Sequence, residues 1–301
     1  MPKIPRGLIV PLITPFKKDL SVDFEGLRWL LSKLVESGVD GVFPSSSTGE
    51  FVHMTLEEIK EVNKFTVECV GGRVSVLAGA TANSTDHVLD IARAARDSGA
   101  DGIIVTTPFY FKHSQETLWK HFSIIAEKSD IPVVLYNNPG MTGVVIPPDL
   151  VAKLAEEYSN VVGIKVTYDD VKYFMKVIDS VKNLRRDFSV LTGSAYMLLT
   201  ALALGGDGAV AAIGNAYPKT LREVYTRWLD GDRGGAAAAF ERVLELSRLY
   251  YLHDNIGATI KKLLHLSGAP IEPYVRPPLT PPKDEVISEF LRKYPVEMSL
   301  E

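Results

Sequence analysis

The chain of 301 residues has one cysteine, no surplus of basic charge, no apolar run of bilayer length and no histidines at a metal-binding spacing. Each absence excludes something. A single cysteine forms no intrachain disulfide, and Cys69 in "NKFTVECV" lies where an apolar face recurs at helical spacing, so it reads as a small buried hydrophobe and not as a nucleophile. No apolar stretch approaches the ~20 residues that span a bilayer, and "MPKIPRGLIVPLITPF" is broken by four prolines. A protein of the cytoplasm, away from any membrane, is expected. Lys+Arg 33 against Asp+Glu 37 gives a formal charge of -4, which disfavours a nucleic-acid partner. The six histidines form no His-Glu-x-x-His pattern, so no metal is expected. No Gly-x-Gly-x-x-Gly opens a helix. The "GGDG" at 205–208 lacks a following Lys-Ser or Lys-Thr and reads as a tight turn.

What is present is an alternation. Short β-rich runs recur about eight times between amphipathic segments: "LIVPLI" (8–13), "GVFP" (41–44), "VSVLAG" (74–79), "GIIVTTP" (102–108), "PVVLYN" (132–137), "VVGIKV" (161–166), "FSVLTG" (188–193) and "GAVAAIG" (208–214). Most are continuously apolar, as strands covered on both faces are, which implies a parallel sheet. The intervening segments carry helix signals. Thr55 with Glu58 makes a capping-box pattern, Ser84 and Ser114 stand at N-cap places, and Gly38 and Gly99 end two helices in the related phrases "SGVDG" and "SGADG".

Eight such units predict an α/β fold, a (β/α)₈ TIM barrel over residues 1–225, followed by a small C-terminal helical extension over 226–301 that packs on the barrel. A doubly wound open sheet is the competing architecture. In a barrel the C-terminal ends of the strands face the site.

That rule singles out Lys165, which ends the sixth run, whereas Lys33, Lys60, Lys128 and Lys153 fall on polar helix faces or loops. Burial of an amine favours its neutral form, and a neutral amine attacks a ketone or aldehyde carbonyl to give a Schiff base. The iminium is itself an electron sink, so an adjacent carbon–carbon bond can break or form with no cofactor. A lysine paired with a structural carboxylate, or snorkelling to solvent, is the plain alternative. "SSSTGE" (45–50) places four hydroxyls and a glycine after the second run, suited to holding an anion. "TPFYF" (107–111) and "LYNNPGMTG" (135–143) place Tyr110 and Tyr136 after the fourth and fifth runs. Tyrosines there are more often packing residues, but a phenol can also shuttle protons in imine chemistry.

Taken together, "STGE", "TPFY", "YNNPGMTG", "GIKVT" and "YVRPPLTPP", in this order, resemble the dihydrodipicolinate synthase and N-acetylneuraminate lyase family of pyruvate-dependent Schiff-base aldolases, over nearly the whole chain. The resemblance implies a homotetramer assembled as a dimer of dimers, acting on pyruvate and a small aldehyde or keto acid. By position it makes Lys165 the imine-forming lysine and Tyr136 the tyrosine that moves protons. It makes Ser47 and Thr48 the pair that holds the pyruvate carboxylate, as an α-keto acid would also require from first principles. It makes Tyr110 the tyrosine inserted from a neighbouring subunit, Thr167 a residue turned toward substrate, and Gly193 a backbone contact to bound ligand.

Departures bear on the substrate. Synthase members carry an arginine in the "YN-x-P-x-R-TG" loop for the carboxylate of aspartate semialdehyde, and here that place is Met141. Sialic-acid lyases carry an Asp-Glu pair after the glycine of the seventh strand, and here Ala195 and Tyr196 stand instead. The expectation is therefore an aldolase of 2-keto-3-deoxy sugar acids such as 2-keto-3-deoxygluconate. The alternatives are a dihydrodipicolinate synthase and a barrel that binds a keto acid without catalysis. Asp169 and Asp170 could contact substrate hydroxyls, but as residues opening a helix they are expected to cap it.

Overall fold

Eight parallel strands close into a barrel in the computed structural model, which describes residues 4–298. They are β1 (Gly7–Pro11), β2 (Gly41–Phe43), β3 (Ser75–Gly79), β4 (Gly102–Thr106), β5 (Val133–Asn137), β6 (Val161–Val166), β7 (Ser189–Thr192) and β8 (Gly208–Val210). Each pairs with its sequence neighbour, and β8 closes on β1 through Gly7 with Gly208 and Ile9 with Val210. The open-sheet alternative falls with that closure. The eighth expected run is the one shortened most. After β8 the chain turns into a 3₁₀ segment, Ala212–Asn215. The Asn215 amide accepts from the Ile13 N–H at 3.2 Å and donates to the Pro11 carbonyl at 2.8 Å, so a side chain replaces further strand pairing.

Helices cover the barrel: α1 (Phe24–Glu36), α2 (Leu56–Val70), α3 (Thr85–Asp97), α4 (Gln115–Lys128), a short α5 (Pro139–Thr142), α6 (Pro148–Glu157), α7 (Val171–Lys182), α8 (Leu198–Ala203) and α9 (Pro218–Leu229). Local chemistry starts and stops them. Thr55 and Glu58 form the reciprocal capping box of α2, and the Ser114 hydroxyl accepts from the Thr117 N–H at the start of α4. Ser84 occupies the N-cap place of α3 without a side-chain bond.

Three further helices follow, α10 (Arg233–Leu246), α11 (Ile256–Leu266) and α12 (Asp284–Lys293). Residue 225 falls inside α9. Val243, Leu246, Ile260, Leu263 and Ile287 share one buried cluster with Leu8, Val10 and Leu27. Each such fully buried aliphatic side chain contributes about 1.5–3 kcal/mol relative to exposure. A separate cluster fills the barrel, with Ile9, Phe43, Leu77, Ile104, Val134, Tyr136, Val162, Leu191 and Val210 pointing inward. None of the described helices is long and apolar enough to cross a membrane.

Candidate active site

A slip in the sheet decides where Lys165 points. In β6, Val161 pairs with Val133 of β5 but the next pair is Gly163 with Val134, which leaves Val162 as an extra residue. Strict alternation from the inward-facing Val162 would send Ile164 inward and Lys165 out to the helices. The bulge resets the register, so Ile164 faces the outer cluster and Lys165 enters the barrel. Gly163 permits it, because a Cβ there would lie 2.8 Å from the Ser189 carbonyl oxygen.

Lys165 is 4% exposed and registers with Tyr136 on β5 and Leu191 on β7. Its Nζ lies 4.0 Å from the centre of the Tyr136 ring and 5.2 Å from that of Phe43. Among the described residues no ion pair involves it. The Tyr136 hydroxyl accepts from Asn138 Nδ2 at 2.9 Å and Thr167 Oγ1 at 3.3 Å, while Thr106 Oγ1 donates to the Tyr136 carbonyl. Burial disfavours the phenolate. The Lys165 charge and hydrogen bonds with Thr167, Lys165 and Ser47 outweigh that and hold the phenol below its ordinary value.

Gly193 packs against this group. A Cβ at that position would sit 1.8 Å from Thr167 Oγ1 and 3.0 Å from Lys165 Cε, so any larger residue displaces both. Ser47, Thr48, Asn138, Met141, Lys165, Thr167 and Gly193 all border one cavity of about 340 Å³ at the C-terminal mouth of the barrel.

The hydroxyl loop is held at both ends. Ser45 and Glu50 have φ of 50° and 60°, left-handed values that non-glycine residues adopt only when surroundings enforce them. The enforcement at Glu50 is visible. Its fully buried carboxylate takes Lys261 Nζ of α11 at 2.5 Å through one oxygen and the Arg276 N–H at 3.1 Å through the other. Arg276 in turn forks onto Glu58 and donates to the Leu20 and His53 carbonyls. The C-terminal extension thus braces the loop that carries Ser47 and Thr48.

With this geometry in place, the sequence matches the Dihydrodipicolinate synthetase family over residues 4–293. The chain belongs to that family. Its enzyme class is the family's, class I pyruvate-dependent lyases. A DapA-like lyase of Thermofilum pendens is 45% identical over 280 residues, covering 93% of both chains. A 4-hydroxy-tetrahydrodipicolinate synthase of Methanopyrus kandleri is 38% identical over 289 residues, covering 96% of this chain and 94% of its own. Escherichia coli YagE, to which a 2-dehydro-3-deoxy-D-gluconate aldolase activity is provisionally given, is 37% identical over 275 residues and 91% of each chain. The crystal structure of YagE with pyruvate superposes with a TM-score of 0.93, at 35% identity, covering 96% of this chain and 98% of that one.

Six of the seven residues singled out in the sequence, Lys165, Tyr136, Ser47, Thr48, Thr167 and Gly193, meet in this one cavity. Tyr110 does not. It is 88% exposed with φ 84° and rests edge-on against Phe111, 69% exposed. The expectation for the two aspartates is half corrected. Asp170 caps α7, accepting from the Lys172 and Tyr173 N–H groups, whereas Asp169 turns to the cavity and accepts from the Tyr196 hydroxyl at 2.8 Å. Asn138 was legible in principle, since it stands two residues past Tyr136, just beyond the end of β5. Tyr250, Asp254 and Asn255, which also line the cavity, carry no local signal.

Proposed function

We propose that this lyase is a pyruvate aldolase of 2-keto-3-deoxy sugar acids, with Lys165 as the imine-forming residue. The observation that carries the reading is the cavity itself: Lys165 Nζ over the Tyr136 ring at 4.0 Å, beside two hydroxyl residues and with no arginine among its described lining residues.

In the reaction, the Lys165 amine attacks the pyruvate C2 carbonyl, and the carbonyl oxygen leaves as water to give the iminium. Loss of a proton from C3 leaves an enamine, with the electron pair drawn toward nitrogen. The enamine carbon attacks the aldehyde carbonyl, the new alkoxide takes a proton, and water returns to release the product and the free lysine. Cleavage is the same path reversed. Tyr136, with Asn138 and Thr167 on its oxygen and a phenol held below the ordinary value, is suited to pass those protons. Ser47 and Thr48 border the cavity where the pyruvate carboxylate would sit, on the loop braced by Glu50. Tyr110, exposed beside Phe111, is taken as the contribution of a neighbouring subunit in a homotetramer built from dimers.

The carboxylate of aspartate semialdehyde would find Met141 where synthases hold an arginine, and the lost charge-assisted bond costs on the order of 1.5–3 kcal/mol. The 38% identical synthase of Methanopyrus kandleri keeps the synthase reading as the competitor.

Borohydride reduction with pyruvate, followed by peptide mapping, is expected to find the adduct on Lys165. Adduct on another residue ends the assignment of the lysine. Specificity constants for glyceraldehyde, N-acetylmannosamine and aspartate semialdehyde, each with pyruvate, are expected to favour glyceraldehyde. A clear preference for aspartate semialdehyde would make the enzyme a synthase.

A further inference from the structure

The cavity has a second pole, away from the amine. Asp169 lies two residues beyond Thr167, and its carboxylate accepts from the Tyr196 hydroxyl at 2.9 and 2.8 Å and from Ser194 Oγ at 3.3 Å. Ser194 and Tyr196 come from the segment after β7, so this contact ties two strand ends together across the cavity mouth. Tyr250 closes the same side, its ring edge-on to Tyr196 at 6.1 Å. The Tyr250 hydroxyl is buried beside the Ala212 and Ile213 backbone, and its proton finds no acceptor among the described residues. Burial raises the Tyr250 phenol above its ordinary value, so it keeps a proton to donate. The phenol of Tyr196 is pushed up to about 12, by burial first and then by the Asp169 carboxylate, and it stays protonated too.

The charge on this wall has one sign. Asp169 and Asp254 border the cavity, and the one cationic side chain among its described lining residues is Lys165. In the proposed reaction that nitrogen is taken up by the iminium beside the pyruvate carboxylate. An acceptor arriving opposite pyruvate therefore meets two carboxylates and the Tyr250 phenol, with no cation for an anionic tail.

We infer that Asp169, held in place by Tyr196, and Tyr250 form the acceptor subsite, selecting an unphosphorylated aldehyde whose hydroxyls donate to Asp169 and accept from Tyr250. This inference rests on the aldolase reading above and extends it to the half of the substrate that reading leaves open. A hydroxyl of the acceptor can join the pair at Asp169, whose carboxylate has lone pairs to spare, and can satisfy the orphaned Tyr250 proton. A phosphate would face Asp169 and Asp254 at close range, where like charges repel. Because Asp169 is exposed at the cavity mouth, the effects should sit at the low end for a bond to a charged group, about tenfold.

The test uses the full chain with pyruvate and three acceptors of equal carbon count: glyceraldehyde, propionaldehyde without hydroxyls, and glyceraldehyde 3-phosphate. Wild-type protein is expected to favour glyceraldehyde over both others in kcat/KM. In Asp169→Asn the glyceraldehyde-to-propionaldehyde ratio is expected to fall about tenfold, and the penalty on the phosphorylated aldehyde to shrink. Tyr196→Phe should lower the same hydroxyl ratio through KM for the acceptor. Borohydride trapping of pyruvate in each variant reports the other half of the site. A normal pyruvate adduct with an unchanged hydroxyl ratio overturns this inference alone, as does wild-type preference for the phosphorylated aldehyde. Failure of wild-type protein to form any adduct overturns the aldolase reading and this inference with it.

Discussion

Of the buried lysines among the described residues, the two deepest are Lys165 in the barrel and Lys261 on α11, and their surroundings differ in kind. Lys261 is wholly buried, ion-paired to Glu50 at 2.5 Å, bonded to the Tyr274 carbonyl at 3.0 Å and set over the Phe16 ring. Burial pulls its ammonium below the ordinary value, and Glu50 holds the proton on against it. Lys165 is 4% exposed but faces aromatic rings and an open cavity, with no carboxylate paired to it among the described residues. A partner carboxylate makes a buried amine a structural tie. An amine without one, bordering a cavity, is free to react.

The sharpest break of that comparison is to exchange each lysine for methionine, which keeps length and removes charge. Lys165→Met is expected to lower turnover by about 10⁴-fold or more, as loss of a covalent nucleophile does, while leaving the melting temperature at or above wild type. Parallel turnover and thermal-melt measurements check both halves, and a large drop in stability would show that Lys165 is a tie after all. Tyr136→Phe keeps the ring under the lysine but removes the proton, so turnover should fall by roughly 10²–10⁴ with little loss of stability. Retention of full turnover would remove Tyr136 from the proton path.

Lys261→Met should act the other way round. It leaves the Glu50 carboxylate buried and unpaired, which costs about 3–5 kcal/mol, and it loosens the loop of Ser47 and Thr48, so KM for pyruvate should rise more than kcat falls. Adding Glu50→Gln to Lys261→Met should restore much of the stability. A double variant no better than the single one would refute the buried-charge explanation.

The smallest effect is expected at the edge of the same brace. The Glu58 carboxylate is held below its ordinary value chiefly by the hydrogen bond from Arg276, with burial opposing. A carboxylate depressed in the folded state stabilises fully above its unfolded value of 4.5 and loses that contribution as pH falls through the lower folded value. Arg276→Gln should therefore cost about 1 kcal/mol at neutral pH and less below pH 4.5, flattening the acid limb of the stability curve. Melting temperatures across pH 3 to 7, as solution conditions set on the order of one unit apart, would read the difference. An acid limb as steep as that of wild type would remove Glu58 from the account.

The two lysines also divide what could be read from the chain alone. Lys165 stood out because it ends a continuously apolar run, and such runs carry their own evidence of burial on both faces. The alternation of those runs with capped helices pointed to the barrel, and the rule that strand ends face a site made Tyr136 and the hydroxyl loop of Ser47 and Thr48 candidates, whereas Thr167 and Gly193 came only from the family resemblance. Lys261, in "IGATIKKLLHLSG", looked like any cation on an amphipathic helix, because its partner Glu50 is 211 positions away and no local period encodes such a pair.

Sequence by itself thus determined the strand-and-helix order, the parallel sheet it implies and the residue types gathered at one end, while closure of that sheet was settled by the pairing of β8 with β1. These follow from propensity and hydrophobic pattern, which act over a few residues. Only the tertiary structure decided that the slip at Val162 turns Lys165 inward, that Glu50 is buried against α11, and that Asp169 leaves the helix cap to Asp170 and meets Tyr196 across the cavity. Each of those depends on which distant backbone or side chain arrives beside it, and that is fixed by the packing of the whole barrel.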